Sequence, residues 1–309
     1  VSQTDSTPLP PATARVTVLD EFLPEKALTE VAGILTTAGA RILTTTTLST
    51  GPTAAVAYDV ADAAVSDLRQ AIHTCDLGVD VVVSDAAFVG PGPRLLVSDV
   101  DSTFIQDEVI ELLARRCGRE AEVAAVTDRA MRGELDFAES LRERVATLAG
   151  LPATVITEVS TELRLTPGAE RLVGTLKRLG HTVALVSGGF TDIIAPTAER
   201  LGIDHVEANQ LEIADGVLTG RVLGRIVDRK WKAETLRRVA FDHDIPLERT
   251  IAVGDGANDL ELLATAGLGV AFNAKPIVRE QAPAALTVPR VDAVLYLLGL
   301  SDAEIAEIG

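Results

Sequence analysis

Apolar positions alternate or run in short blocks from Arg15 onward. Their spacing predicts strands over 16–19, 41–48, 54–60 and 79–83, with helices over 28–38 and 65–74 between them. That order, βαββαβ, is the ferredoxin-like unit. The stretch Gly90-Pro91-Gly92-Pro93 suits neither strand nor helix and predicts a domain boundary. Beyond it a short buried strand over 95–98 is followed by four helical stretches, 108–116, 119–132, 137–148 and 152–160. No strand interrupts them, so they read as an all-helical cap inserted into an α/β chain. From residue 168 onward, helices over 169–179, 193–201, 232–241, 260–266 and 293–298 alternate with strands over 183–186, 205–208, 251–253 and 268–271. A small hairpin is predicted from 210–213 and 217–220 across Asp215-Gly216. Alternation of this kind predicts a doubly wound, mostly parallel sheet with helices on both faces. The expected organisation is a disordered arm over 1–14, a ferredoxin-fold domain over 15–90, and an α/β domain over 91–309 whose cap covers roughly 108–165.

Composition narrows the function classes. With 309 residues, 47% hydrophobic and 24% charged, the chain has the make-up of a globular protein with room for two cores. No tract approaches the ~18 apolar residues of a membrane helix, and residues 1–14 are polar and proline-rich, without the basic and apolar regions of a signal peptide. Cys75 and Cys117 are too few for a disulfide framework and point to free thiols in a reducing cytoplasm. A net charge of −17 argues against nucleic acid as a partner. It also means that any site for an anionic substrate must be made locally positive by a metal and a few chosen cations.

The candidate chemistry sits at three predicted strand ends, where open α/β sheets place their sites. The strand over 95–98 runs into Asp99-Val100-Asp101-Ser102-Thr103, a carboxylate pair that repels itself unless a cation is present. Oxygen-only ligands favour Mg²⁺ or Ca²⁺ over zinc. The strand over 183–186 ends in Ser187-Gly188-Gly189-Phe190-Thr191, small and hydroxylated residues whose backbone N–H groups can close on an anion. A third strand, over 251–253, ends in Gly254-Asp255-Gly256-Ala257-Asn258-Asp259. Singly, each reads as helix-capping and turn residues; together they read as one site. Lys230 and Lys232 are rival cations for it, and His73, His181, His205 and His243 show no ligand spacing.

These strings, with Glu108-Val109-Ile110-Glu111 and Met131-Arg132-Gly133-Glu134-Leu135-Asp136-Phe137, resemble the haloacid dehalogenase (HAD) superfamily and, within it, the phosphoserine phosphatase branch, over roughly 94–300. The resemblance implies a Rossmann-like HAD core and hydrolysis of O-phosphoserine to serine and phosphate through an aspartyl-phosphate, the last step of serine synthesis. It makes Asp99 the nucleophile and Asp101 the acid and base. Lys232 is favoured over Lys230 as the cation beside the phosphoryl group. Mg²⁺ would be held by Asp99, the Val100 carbonyl, Asp101 and Asp255, with Asp259 supporting that site without ligating. Ser187, Gly188, Lys232 and Asn258 would bind the phosphoryl group or orient the substrate. Arg144 would take the substrate carboxylate, Glu108 its ammonium, and Phe137 would cover it. Residues 15–90 resemble an ACT-type amino-acid-binding domain, a site for serine or another amino-acid effector, although Asp20-Glu21-Phe22-Leu23-Pro24-Glu25 replaces the glycine usual after its first strand. A structural or dimerising role stands beside that reading, and a homodimer is expected. The alternatives are another small phosphorylated metabolite as substrate, a phosphotransferase, or an amino-acid sensor with an inactive core. The intact set Asp99, Asp101, Lys232 and Asp255 speaks against the last.

Overall fold

The computed structural model describes residues 10–75 and 77–308. Of the arm expected over 1–14, residues 1–9 lie outside the described residues, and the first strand already begins at Ala14. The chain packs into two compact units.

The first unit contains β1 (Ala14–Asp20), α1 (Glu25–Thr37), β2 (Arg41–Thr50), β3 (Ala54–Ala61), α2 (Val65–His73) and β4 (Asp80–Asp85). Its antiparallel sheet has the order β2-β3-β1-β4, as the βαββαβ pattern predicts. Helix α1 buries Ala27, Val31 and Leu35, spaced four apart on one face. Val31 and Leu35 share one core with Val16, Val18, Val56 and Tyr58 of the sheet. Chain ends matter here: residues 284–288 and 293–308 pack with this unit, whereas the pattern of the sequence had grouped them with the α/β domain.

The second unit is the α/β part. Its sheet runs β10 (Leu268–Phe272), β9 (Thr250–Gly254), β5 (Leu95–Ser98), β6 (Thr182–Phe190), β7 (His205–Ala214), β8 (Val217–Leu223). All neighbours are parallel except β7 and β8. Those two form the expected hairpin, with Asp215 and Gly216 both at positive φ (51° and 76°), the backbone that an Asp-Gly two-residue turn supplies. The strands expected over 205–208 and 210–213 are one continuous β7. Around the sheet lie α7 (Ala169–Arg178), α8 (Thr191–Leu201), α9 (Arg229–Asp242) and α10 (Leu260–Thr265).

Between β5 and α7 stand four helices, α3 (Val109–Arg116), α4 (Glu120–Met131), α5 (Phe137–Ala146) and α6 (Thr154–Glu162). The two chain segments that join this cap to the sheet run side by side. The Gln106 N–H donates to the Arg164 carbonyl at 2.8 Å and the Thr166 N–H to Phe104 at 3.0 Å. Arg164 also donates to the carboxylate of Asp107. No helix among the described residues is long and apolar enough to cross a membrane.

The grouping of the C-terminal residues has a testable consequence. The helix Val294–Leu297 has all four residues buried, and a fragment begun at Pro93 carries it without the strands and helices of its own unit. Such a fragment is expected to bind a hydrophobic dye and to form polydisperse aggregates, while the full chain does neither. A 93–309 fragment as dye-silent and monodisperse as the full chain would contradict this grouping.

Candidate active site

Strands β9, β5 and β6 are adjacent and parallel, so their carboxyl ends open on one edge of the sheet and bring the three predicted strand ends together. Asp99 continues the ladder, its N–H donating to the Val253 carbonyl at 2.8 Å. It is followed by a wide turn over Val100–Phe104 in which Ser102 takes φ 56°, a left-handed conformation uncommon for a residue with a side chain. The strained turn aims the Ser102 hydroxyl at Glu108, 2.7 Å away. Glu108 itself is extended (φ −99°, ψ 112°) and stands just before α3, where the sequence pattern had placed it inside the helix.

The centre of the site is the ammonium of Lys232, 1% exposed, which donates to Asp99 Oδ1 at 2.6 Å and to Asp259 Oδ1 at 2.7 Å. Lys230 is exposed, so burial separates two lysines that spacing alone leaves as rivals. Burial by itself would lower the Lys232 pKa, but Asp259 and Asp99 raise it above the ordinary value. The carboxylates still outnumber it. Burial, then Asp259, lift Asp99 well above the usual carboxylate range, and the same two causes push Asp255 up to about 6. Oxygens of Asp99, Asp255 and Asp259 all lie within 4.8 Å of one another. An all-oxygen, mutually repelling set of this kind fits a hard divalent cation.

Of the residues that the resemblance implies as metal ligands, Asp99 and Asp255 lie in this cluster. Asp101 does not join the cluster: its Oδ1 accepts the Val109 N–H at 2.7 Å and its Oδ2 accepts the Ser187 hydroxyl at 2.8 Å. The Val100 carbonyl accepts the Ile105 N–H at 2.9 Å. Asp259, expected to support the site without ligating, is the third member of the cluster. It also accepts the Gly256 N–H at 3.1 Å, which fixes the loop carrying Asp255. Thr103 donates to Asp255 at 3.3 Å.

Gly188 and Gly189 have steric reasons to be glycine. A Cβ on Gly188 would stand 2.9 Å from Cζ of Phe137, and one on Gly189 would stand 2.9 Å from Oδ2 of Asp101. Phe137 therefore covers the Ser-Gly-Gly turn. It opens α5, whose first turn is fixed by a reciprocal cap: the Glu139 N–H donates to Asp136, and the Asp136 N–H to Glu139. Arg144 lies further along α5. Burial lowers its guanidinium from the ordinary value, opposed by Glu108, Asp101 and Glu111. Its one described side-chain bond runs from Nε to the Ser140 carbonyl. Glu108 is exposed, yet desolvation against the surrounding protein, then Asp101, push its carboxyl up to about 7. Asn258 is half-buried in the loop between Asp255 and Asp259, and its side chain bonds no described residue.

One site residue escaped the sequence reading. Asn209 on β7 is 1% exposed, donates to the Gly188 carbonyl at 2.8 Å and accepts the Val227 N–H at 2.9 Å. Asn209 falls between the strands predicted over 205–208 and 210–213 and carries no motif, so no local signal singles it out. His205 and His243 meet through their Nε2 atoms at 2.7 Å, away from the cluster.

The electrostatics set a pH test. Asp99 and Asp255 have folded pKa values above their unfolded ones. Without a metal they contribute stability below about pH 4, where the unfolded carboxyls are protonated too. That stability is lost as the pH rises through the folded values, about 6 for Asp255. Thermal melts of metal-free protein are expected to fall between pH 4 and pH 7. A divalent cation at pH 7 should restore the midpoint, and Asp255→Asn should blunt both effects. A wild-type midpoint indifferent to cation at pH 7 would contradict the cluster as a metal site.

Comparison with known proteins agrees with this geometry. A model of the haloacid dehalogenase-like hydrolases matches residues 96–264. A phosphoserine phosphatase of Streptomyces coelicolor is 53% identical over 292 residues, 94% of this chain and 71% of that one. Phosphoserine phosphatase SerB2 of Mycobacterium tuberculosis is 58% identical over 227 residues, 74% of this chain and 56% of that one. The chain thus spans little more than half of the second relative. Among solved structures, an unliganded probable phosphoserine phosphatase from Vibrio cholerae aligns with a TM-score of 0.74 at 35% identity, covering 96% of this chain and 89% of that one. With Asp99, Ser187, Lys232 and Asp255 converging at the ends of β5, β6 and β9 and the first two relatives both more than half identical, this chain belongs to the haloacid dehalogenase-like hydrolases.

Proposed function

We propose that the protein is a Mg²⁺-dependent phosphoserine phosphatase, hydrolysing O-phosphoserine to serine and phosphate. The observation that carries the reading is a pair of charge patterns that meet at Asp101. A buried Asp99 is held by Lys232 at the sheet edge. Glu108 and Arg144, each within electrostatic reach of Asp101, offer one anion and one cation, the complement of an amino acid's ammonium and carboxylate. The names of the relatives support the same substrate.

Carboxylate attack on a phosphate dianion is opposed by roughly 8 kcal/mol, taking ~4 kcal/mol per unit-charge pair at ~4 Å and an effective dielectric of ~20. Mg²⁺ held by Asp99 and Asp255, with Asp259 beside them, would neutralise charge between nucleophile and phosphate. Lys232, the Ser187 hydroxyl and the Gly188 N–H would hold the non-bridging oxygens. Asp99 then attacks phosphorus, its Oδ–P bond forming as the P–O bond to serine breaks, and Asp101 gives its proton to the departing serine oxygen. Burial raises the Asp101 pKa, which favours its holding that proton. In the second half Asp101 takes a proton from water. The water oxygen bonds to phosphorus, the P–O bond to Asp99 breaks, and phosphate leaves. Phe137, over Gly188, would exclude bulk water from the aspartyl-phosphate.

Two sets of variants test these roles. Asp99→Asn is expected to form no phosphoenzyme under rapid quench, whereas Asp101→Asn forms some and turns over slowly; covalent phosphate on Asp99→Asn would refute the nucleophile. Arg144→Ala and Glu108→Gln are expected to cost about 2 kcal/mol or more in kcat/KM for phosphoserine and far less for p-nitrophenyl phosphate, which lacks both charged groups. Because Glu108 must be a carboxylate to take an ammonium, KM for phosphoserine should rise as the pH falls below about 7, and Glu108→Gln should abolish that rise. Equal losses on both substrates would mean that the two residues only hold the fold.

A further inference from the structure

The Ser-Gly-Gly turn lies outside the sheet ladder. Strand β6 pairs with β7 at Val186↔Glu207 and again at Phe190↔Asn209, four steps along β6 against two along β7. A bulge of that size leaves backbone groups without ladder partners. The Gly188 carbonyl is one of them, and the residue opposite the bulge supplies its partner: Asn209 Nδ2 donates to it at 2.8 Å. The other end of the same amide accepts the Val227 N–H at 2.9 Å. Val227 immediately precedes Asp228, which caps α9 by accepting the Trp231 N–H, and α9 carries Lys232. Both bonds require the same orientation of the amide, nitrogen toward the carbonyl and oxygen toward the N–H.

We propose that Asn209 is a positioning residue for the reaction proposed above, acting through the Gly188-Gly189 peptide on the hydroxyl of Ser187. In a trans peptide the C=O and N–H point in opposite directions. With the Gly188 C=O drawn to Asn209, the Gly189 N–H is turned onto Ser187 Oγ, 2.7 Å away. That bond occupies the hydroxyl as an acceptor and leaves its one proton to be donated, to Asp101 Oδ2 at 2.8 Å here and to a phosphoryl oxygen in the reaction proposed above. A single buried amide therefore sets the plane of the phosphate-facing turn and the donor direction of Ser187, and it ties both to the start of the lysine helix. The inference rests on the phosphatase reading for its reaction and on these distances for its geometry.

A double-mutant cycle on kcat tests it. Asn209→Asp keeps the size and the acceptor for Val227 but sets a carboxylate oxygen against the Gly188 carbonyl. It is expected to lower kcat on the order of tenfold or more in protein whose near-ultraviolet circular dichroism matches wild type. On a Ser187→Ala background the same change is expected to cost no more than about twofold, because the hydroxyl through which Asn209 acts is gone. A folded Asn209→Asp protein with wild-type kcat, or losses that simply multiply in the double variant, would overturn the proposal. If Asn209→Asp does not fold, Asn209→Ser is read in the same cycle by the same criteria. The cycle is run on O-phosphoserine and on p-nitrophenyl phosphate. A wild type active only on the second refutes the substrate assignment, while the cycle still decides the role of Asn209.

Discussion

The ammonium of Lys232, buried between Asp99 and Asp259, is the interaction on which the rest of the site depends. One cation cannot balance Asp99, Asp255 and Asp259 within 4.8 Å of each other, and burial removes the water that would otherwise screen them. The remaining negative charge is what a divalent cation and a phosphoryl group would organise. The fold serves this point directly: three neighbouring parallel strands deliver the acidic and anion-binding turns to one edge, and α9 enters with Lys232 one turn in from its cap.

Around that centre the charged groups are kept to separate tasks by what each is bonded to. Asp101 is held apart from the carboxylate cluster by the Val109 N–H and the Ser187 hydroxyl. The carboxyl of Glu108 is lifted toward neutrality by desolvation and by Asp101, while Arg144 brings a half-buried positive charge from the cap. The paired segments at 104–107 and 164–166 fix the point where cap and sheet join. In a chain of net charge −17, a locally positive point at this sheet edge comes from the buried ammonium of Lys232.

Much of this was legible in the sequence because strand ends concentrate chemistry. The runs ending in Asp99, Ser187 and Asp255 stood out as apolar strands broken by polar turns, and the βαββαβ order followed from periodicity. What was not legible depends on side-chain direction and on contacts distant in sequence. The resemblance put Asp101 among the metal ligands and Asp259 beside them; the hydrogen bonds of Asp101 to Val109 and Ser187, and the place of Asp259 beside Lys232, are contacts that a sequence does not display. Burial, invisible in a two-residue interval, distinguishes Lys232 from Lys230. Asn209 was silent because its meaning comes from a bulge on the neighbouring strand. The grouping of residues 293–308 with the first unit is likewise a matter of packing that no local pattern announces.

The most direct test of the central claim is phosphate release from a panel of phosphorylated small molecules, measured on the full chain with and without Mg²⁺. The panel should include O-phosphoserine, O-phosphothreonine, a sugar phosphate and p-nitrophenyl phosphate. The account predicts Mg²⁺-dependent release with the highest kcat/KM on O-phosphoserine. Equal activity without a divalent cation, or a preference for a substrate lacking the ammonium and carboxylate, would contradict it.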